Sequence, residues 1–387
     1  MKPLSLLSLA LLLADATPLV GPPYDKVGAI DVGTFENTIV YWHGALLVLE
    51  NIPCSYKGHA GETDAYWGNH SYARIKDFAT GAVLANVSST RAFGFVSAFA
   101  DYEHDTLWLF GTPADRCDGN GSPTTVQSWW TTDATLQVWS TALAFDLGKP
   151  THNVQVTFIG PRGGASAAER AAWSALRSAR GDGGSDALPP ARYAMFLECF
   201  SFLVNDAADG NLTRGWSLVE STAPPGGSCG GPSFTYSPAD DYFYILTGGR
   251  TVQLFRTLNF SSWTESSPSP FLAPSAEDAL VSPYAGFPAV ASTQKGSPPQ
   301  AHVGVPEPFP FVPFDPVWGT NWTAWAINSN DADFCCQHVN VSDAWLIYGT
   351  STQGRPPKAP LDGTDAGTNS VAVKRGVSLN QLLAEYF

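Results

Sequence analysis

Trp42-His-Gly-Ala-Leu-Leu-Val-Leu-Glu50 places a turn ahead of an apolar run, and four later stretches share that layout. They are Asp105-Thr-Leu-Trp-Leu-Phe-Gly111, Ala191-Arg-Tyr-Ala-Met-Phe-Leu-Glu198, Asp240-Asp-Tyr-Phe-Tyr-Ile-Leu246 and Asp343-Ala-Trp-Leu-Ile-Tyr-Gly349. Short β-branched and aromatic runs between turn formers read as strands, and a Gly or Asp near most of the starts supplies the tight turn. Partner runs follow at Tyr72 to Asp77, Leu136 to Ser140 with Phe145 to Leu147, and Ser201 to Val204 with Leu212 to Trp216. Two more are Thr251 to Leu258 with Trp263, and Ser370 to Lys374 with Leu379 to Phe387. Further runs at Thr38 to Tyr41, Phe93 to Phe99 and Ser233 to Tyr236 precede hairpins. About four strands per unit and about five units is the arithmetic of an all-β, five-bladed β-propeller, which protects strand edges by radial repetition. A two-sheet sandwich, built from similar strands and turns, is the alternative fold.

One segment breaks the pattern. Gly163 to Pro190 is rich in Gly, Ala, Arg and Ser, and Ser166-Ala-Ala-Glu169 within it is a capping box. It predicts a helix through Trp173 and Leu176, ending by Gly181, as a short helical insertion in the third blade. Gly354 to Thr368, with its prolines and glycines, reads as a long polar loop.

Composition agrees with strands. The 387 residues include 36 Gly and 30 Pro, which interrupt helical ladders, and 13 Trp, 13 Tyr and 22 Phe, which call for a buried core. A net charge of −14 repels phosphate backbones, so nucleic acid is excluded as an expected partner. Lys2, the apolar run Leu4 to Leu13 and Ala14-Asp15-Ala16 have the order of a secretory signal peptide. The expected division is residues 1–16 as signal peptide and residues 17–387 as a single propeller domain, secreted and free of the membrane after cleavage. An uncleaved anchor is the alternative, although the run is short for a bilayer span.

Asn-X-Ser/Thr occurs at Asn69, Asn86, Asn120, Asn211, Asn259, Asn321 and Asn340, which beside a signal peptide suggests glycosylated surface loops. Six cysteines, Cys54, Cys117, Cys199, Cys229, Cys335 and Cys336, fit oxidised pairs in a secreted chain. Adjacent Cys335 and Cys336 either bond each other or pair separately. Zinc ligation by Cys335, Cys336 and His338 lacks the usual Cys-X2-Cys spacing, so no metal and no cofactor is expected.

A propeller gathers its inner strands around one axis, so acidic residues in those strands are the first candidates for chemistry. Glu36 and Asn37 open the first blade within Thr34-Phe-Glu-Asn-Thr38. Asn328-Ser-Asn-Asp-Ala-Asp-Phe-Cys335 opens the fifth, and strand alternation sends Asp331 and Asp333 to one face. Two carboxylates facing each other across a pocket suit glycosidic-bond hydrolysis, one as acid and one as base or nucleophile. They equally suit a hydrated cation or sugar hydroxyls, and the plainest alternative is that they cap turns. Gly226-Gly-Ser-Cys-Gly230 fits the Gly-X-Ser-X-Gly pattern, but Pro224-Pro225 precede it and a strand follows, which is not a nucleophile elbow. No Walker loop, dinucleotide fingerprint or His-Glu-X-X-His motif is present.

The order of Phe35-Glu-Asn-Thr38, Gly44-Ala-Leu-Leu47, Tyr72-Ala-Arg-Ile75, Ala92-Phe-Gly94 and Arg192-Tyr-Ala-Met195 with Glu198 resembles a known family. The series continues through Cys229, Pro232, Tyr242-Phe-Tyr244 and Asn330-Asp-Ala-Asp-Phe-Cys335 to Leu379 and Tyr386-Phe387. It resembles five-bladed β-propeller proteins related to glycoside hydrolase family 43. The resemblance implies a carbohydrate-directed site at the propeller centre. Glu36, Asp331 and Asp333 would line it, with Glu198 as a general-acid candidate. Arg74 would hold a substrate carboxylate or pair with a central acid, Asn37 and Asn330 would bind substrate, and Phe93 would offer a stacking face. Two departures stand out: the insertion ahead of Arg192 obscures an inner strand, and Cys336 stands where an acid is expected. They keep a non-catalytic glycan-binding propeller in play beside a glycoside hydrolase. A structural secreted glycoprotein is a third possibility.

Overall fold

The computed structural model describes residues 25–32, 38–52, 72–78, 80–87, 96–112, 124–149, 151, 153–161, 165–180, 191–197, 200–226, 233–248, 252–267, 312–313, 327–335, 344–350, 368–374, 381, 383 and 386–387. After β1 (Asp25–Val32), the first blade is β2 (Thr38–Trp42), β3 (Ala45–Ile52), β4 (Tyr72–Asp77) and β5 (Val83–Val87). The second is β6 (Ser97–Asp101), β7 (Thr106–Gly111), β8 (Thr125–Thr131) and β9 (Ser140–Asp146). The third is β10 (Gln155–Phe158), β11 (Tyr193–Leu197), β12 (Ser201–Asn205) and β13 (Ser217–Val219), with helix α1 (Ala167–Arg180) between β10 and β11. The fourth is β14 (Ser233–Ser237), β15 (Tyr242–Gly248), β16 (Val252–Thr257) and β17 (Thr264–Glu265). Each of these is an antiparallel meander in which sequence neighbours pair.

The remaining strands, β18 (Val312–Pro313), β19 (Ile327–Cys335), β20 (Ala344–Thr350) and β21 (Thr368–Lys374), join β1 in a five-stranded sheet ordered β18-β1-β21-β20-β19. The chain is therefore an all-β propeller with one helix among the described residues. Among the described residues it has four four-stranded blades rather than the five expected from the repeat. The fifth sheet is built differently because β1 pairs along β21, removing an edge that would otherwise lie open. The innermost strands are neighbours in a closed series: β2 lies beside β6, β6 beside β10, β10 beside β14, β14 beside β19, and β19 beside β2. Two sheets packed face to face have no such series, so the sandwich does not apply.

Strand alternation builds the core as layers between blades. In β7, Leu107 and Leu109 join Val40, Leu47 and Leu49 of the first blade, whereas Trp108 and Phe110 join Tyr193 and Met195 of the third. In β11 the opposite face, Ala194 and Phe196, meets Phe234 and Phe243 of the fourth blade. A strand covered on both faces shows no polar alternation, which is why Thr106–Gly111 reads as a continuous apolar run. Hairpin turns are equally local in origin. His43 and Gly44 both take positive φ, 44° and 85°, the geometry of a two-residue turn matched to strand twist.

The capping box forms as the sequence predicts. Ser166 N–H donates to Glu169 Oε2 at 2.7 Å, and Glu169 N–H donates to Ser166 Oγ at 3.2 Å. The helix is tied to the fourth blade by Trp173 Nε1, which donates to the Tyr236 hydroxyl at 2.7 Å, and by Arg177, 3.6 Å from Asp241. At the end of the chain, Phe387 and Tyr242 enclose the Arg256 guanidinium, each ring centre 4.3 Å away. Among the described residues no helix is long and apolar enough to cross a membrane.

Candidate functional site

The innermost strand of each blade has one edge with no strand partner, and its backbone groups need other acceptors and donors. Side chains of neighbouring inner strands supply them. Phe234 N–H donates to Gln155 Oε1 and Tyr236 N–H to Thr157 Oγ1, so alternate amides of β14 are met by alternate side chains of β10. Ser97 Oγ likewise donates to the carbonyl of Val154. This spacing explains why short, neutral polar residues recur in strands that are otherwise apolar.

Among the sequence-identified site residues, Glu36, Asn37, Phe93 and Glu198 lie outside the described residues, as do Cys336 and His338 of the zinc alternative. Asn330, Asp331 and Asp333 fall in β19, beside β2 and β14, and Asp333 is in register with Ile347 of β20. Between Asn328 and Asp333 the register shifts, so regular alternation is interrupted over that interval. In the sequence Glu36 stands two residues ahead of β2, and the structure places β19, the strand of Asp331, alongside β2. Arg74 is not brought there. It is buried in β4, the third strand of its blade, in register with Glu50 and Asn86.

A different cluster, absent from the sequence reading, joins the second and third blades. Asp101, 1% exposed at the end of β6, accepts at Oδ1 from the backbone N–H of Glu103 and His104. Its Oδ2 meets the Tyr193 hydroxyl at 2.7 Å and His104 Nδ1 at 2.9 Å. His104 Nε2 lies 3.2 Å from the carbonyl of Ala208, across the seam. Burial by itself lowers the His104 pKa, but the hydrogen bond and charge of Asp101 outweigh it and the net shift is upward. Burial, then the Asp101 charge, raises the Tyr193 pKa, keeping its hydroxyl a neutral donor.

The same device recurs. Tyr236 donates to Asp241 at 2.6 Å and Tyr244 donates to Asp240, in the turn between β14 and β15. Asp101 at the end of one inner strand, and Asp240 and Asp241 in the turn after another, thus serve buried tyrosines. A sequence signal existed in the Asp-X-X-His spacing after an apolar strand, but its tyrosine partner lies 92 positions away. Among the described residues no group of three His, Cys, Asp or Glu side chains could hold a metal ion.

Sheet order and the closed series of inner strands define an all-β propeller. No family model and no curated protein matches the sequence. Among solved structures the chain is similar to the GH43 protein BlXynB from Bacillus licheniformis, at 11% identity and a TM-score of 0.44, covering 92% of this chain and 56% of that one. It is also similar to the α-L-arabinofuranosidase PaAbf62A from Podospora anserina, in complex with cellotriose, at 13% identity and TM-score 0.45, covering 93% and 95%. The GH93 α-L-arabinofuranosidase of Fusarium graminearum, in complex with arabinobiose, matches at 10% identity and TM-score 0.38, covering 94% and 99%. The chain spans about half the length of BlXynB and of a GH43_12 protein retrieved from a capybara gut metagenome.

Proposed function

We propose that this chain is a secreted glycoside-hydrolase-like protein acting on a carbohydrate at the propeller axis, with the five-stranded sheet serving as a fifth blade. The observation that supports the reading is the adjacency of β19, which carries Asp331 and Asp333, to β2, which follows Glu36 by two residues in the sequence. Two carboxylates from distant parts of the sequence, facing each other across the axis, would provide an acid and a base or nucleophile for glycosidic cleavage. Asn37, Asn330 and Phe93 would bind the sugar, and Glu198 is the further acid. A non-catalytic glycan-binding propeller is the second reading. It is favoured by the insertion ahead of Arg192 and by Cys336, which stands after Cys335 where an acid is expected.

The test is a screen of purified protein against aryl glycosides and a glycan array. Turnover supports the hydrolase, binding without turnover supports the second reading, and neither result leaves only a structural glycoprotein. Secretion and glycosylation belong to the same proposal. Asn86 is exposed on β5, and Asn211 and Asn259 sit in turns where their Oδ1 atoms accept from the N–H of Thr213 and Ser261. Expressed in a glycosylating host, the secreted protein should begin near Thr17 and lose mass on treatment with an N-glycan-removing enzyme. Unchanged mass would count against glycosylation.

A further inference from the structure

The turn from Tyr102 to Asp105 is held from both sides. His43 of the first blade approaches Asp105 at 3.0 Å, in an exposed pair, while His104 reaches into the third blade. The loop it meets is shaped for the ring. Gly210 takes φ +66°, and a Cβ at that position would stand 2.4 Å from the imidazole Cγ. Tyr193, which completes the cluster, packs edge-on against Phe99 and Phe158 in the core between the two blades.

The partners of His104 fix the number of protons the ring needs. The Ala208 carbonyl only accepts, so Nε2 must carry a hydrogen to bond it. Nδ1 faces the Asp101 carboxylate, which also only accepts, and the Tyr193 hydroxyl at 3.1 Å, whose hydrogen is given to Asp101. Both ring nitrogens are therefore donors, and the neutral ring has one hydrogen too few. We infer that His104 is a proton-operated latch between the second and third blades, closed as the imidazolium and loosened when the ring is neutral.

Loss of the proton leaves two outcomes. A hydrogen retained on Nε2 turns the Nδ1 lone pair toward the Asp101 carboxylate, which Tyr193 can relieve only by releasing Asp101. A hydrogen retained on Nδ1 breaks the Ala208 contact instead. Other charged groups around the latch are already engaged: Glu103 with Arg192 at 3.3 Å, and Asp209 with Arg214 at 3.5 Å on the loop that carries Ala208. Asp206 is exposed on that loop, leaving Asp101 as the buried counter-charge.

The sign follows from the upward shift. The latch contributes in full below the ordinary histidine pKa of about 6.5 and fades as pH rises through the higher folded value. Two measurements test it on the full chain. Hydrogen–deuterium exchange at the imidazole C2 position, followed by mass spectrometry of the wild-type protein, should give His104 a midpoint above about 6.5. Thermal unfolding should show the wild type melting about 2 °C above His104→Gln at pH 5.5, with most of that advantage gone by pH 9. A midpoint at or below the ordinary value, or an advantage unchanged with pH, overturns the latch. The exchange measurement stands if the variant fails to fold.

Discussion

Phe202→Ala should lower the stability of the folded chain by about 3–5 kcal/mol, the range for emptying a buried aromatic site. Phe202 is 0% exposed, and its ring stacks on Phe260 with centres 4.3 Å apart and planes 4° from parallel. Phe196, Phe234 and Trp263 surround it at 5.2, 5.6 and 5.8 Å, so one side chain ties the third blade to the fourth. The cost falls at the high end because the neighbours cannot close the gap. Phe260 sits at φ 62°, its amide donating to Thr257 Oγ1 at 3.0 Å, and the Trp263 indole donates to the carbonyl of Thr222 at 2.8 Å. Each ring is pinned by its own backbone or indole bond, and a cavity that cannot collapse loses dispersion contacts along with transfer energy. Leu143→Ala, at a position 55% exposed on β9, should change stability by no more than about 0.5 kcal/mol. Denaturant unfolding of both variants measures the contrast. Equal midpoints would mean that the seams between blades do not hold the ring together.

Phe260 also shows where sequence reasoning reached its limit. Hairpins, the capping box at Ser166 and most blade strands were readable because each rests on contacts within a few residues. Leu136 and Leu212 were read as strand residues but are buried in turns that follow the third strands of the second and third blades. The turns repeat a scheme: a polar residue caps the bend, a large apolar residue plugs the seam, and a tryptophan indole bonds back. Asp133 caps the turn of Leu136 and Trp139, and Asn205 caps the turn of Leu212 and Trp216. Leu136 and Phe260 even share positive φ, 61° and 62°, which apolar side chains adopt only when burial outweighs the local strain. Burial gives a plug and a strand residue the same apolar signature, so composition alone cannot separate them.

Nonlocal pairing hid the rest. Asp25–Val32 carries two aspartates, a lysine and a glycine, and it is a strand because β21 and β18 supply hydrogen bonds on both sides. That pairing converts an expected uniform fifth blade into a sheet made from distant parts of the chain. The adjacency of β19 to β2 was legible through the radial repeat, whereas the third-strand position of Arg74 was not. The Asp101 and Tyr193 cluster depends on residues from two blades, which local pattern reading does not join.

On the proposed hydrolase reading, Asp331→Asn and Glu36→Gln, made separately, should each reduce turnover by about a hundred- to ten-thousand-fold, the usual contribution of a general acid or base. Sugar binding should survive in both, because the amide keeps the shape of the acid and can still bond a sugar hydroxyl, which both donates and accepts, while removing the charge and the transferable proton. The separation of turnover from affinity is the informative result. A glycan-binding propeller has no turnover to lose and would show altered affinity alone. Asp101→Asn supplies the contrast among acids of inner strands: its carboxylate is committed to Tyr193, His104 and two backbone amides, so the variant should melt earlier yet turn over normally while folded. If Asp101→Asn abolished turnover and Asp331→Asn did not, the catalytic assignment would move from the β19–β2 junction to the seam between the second and third blades. Convergence around the axis would then build the fold without building the chemistry.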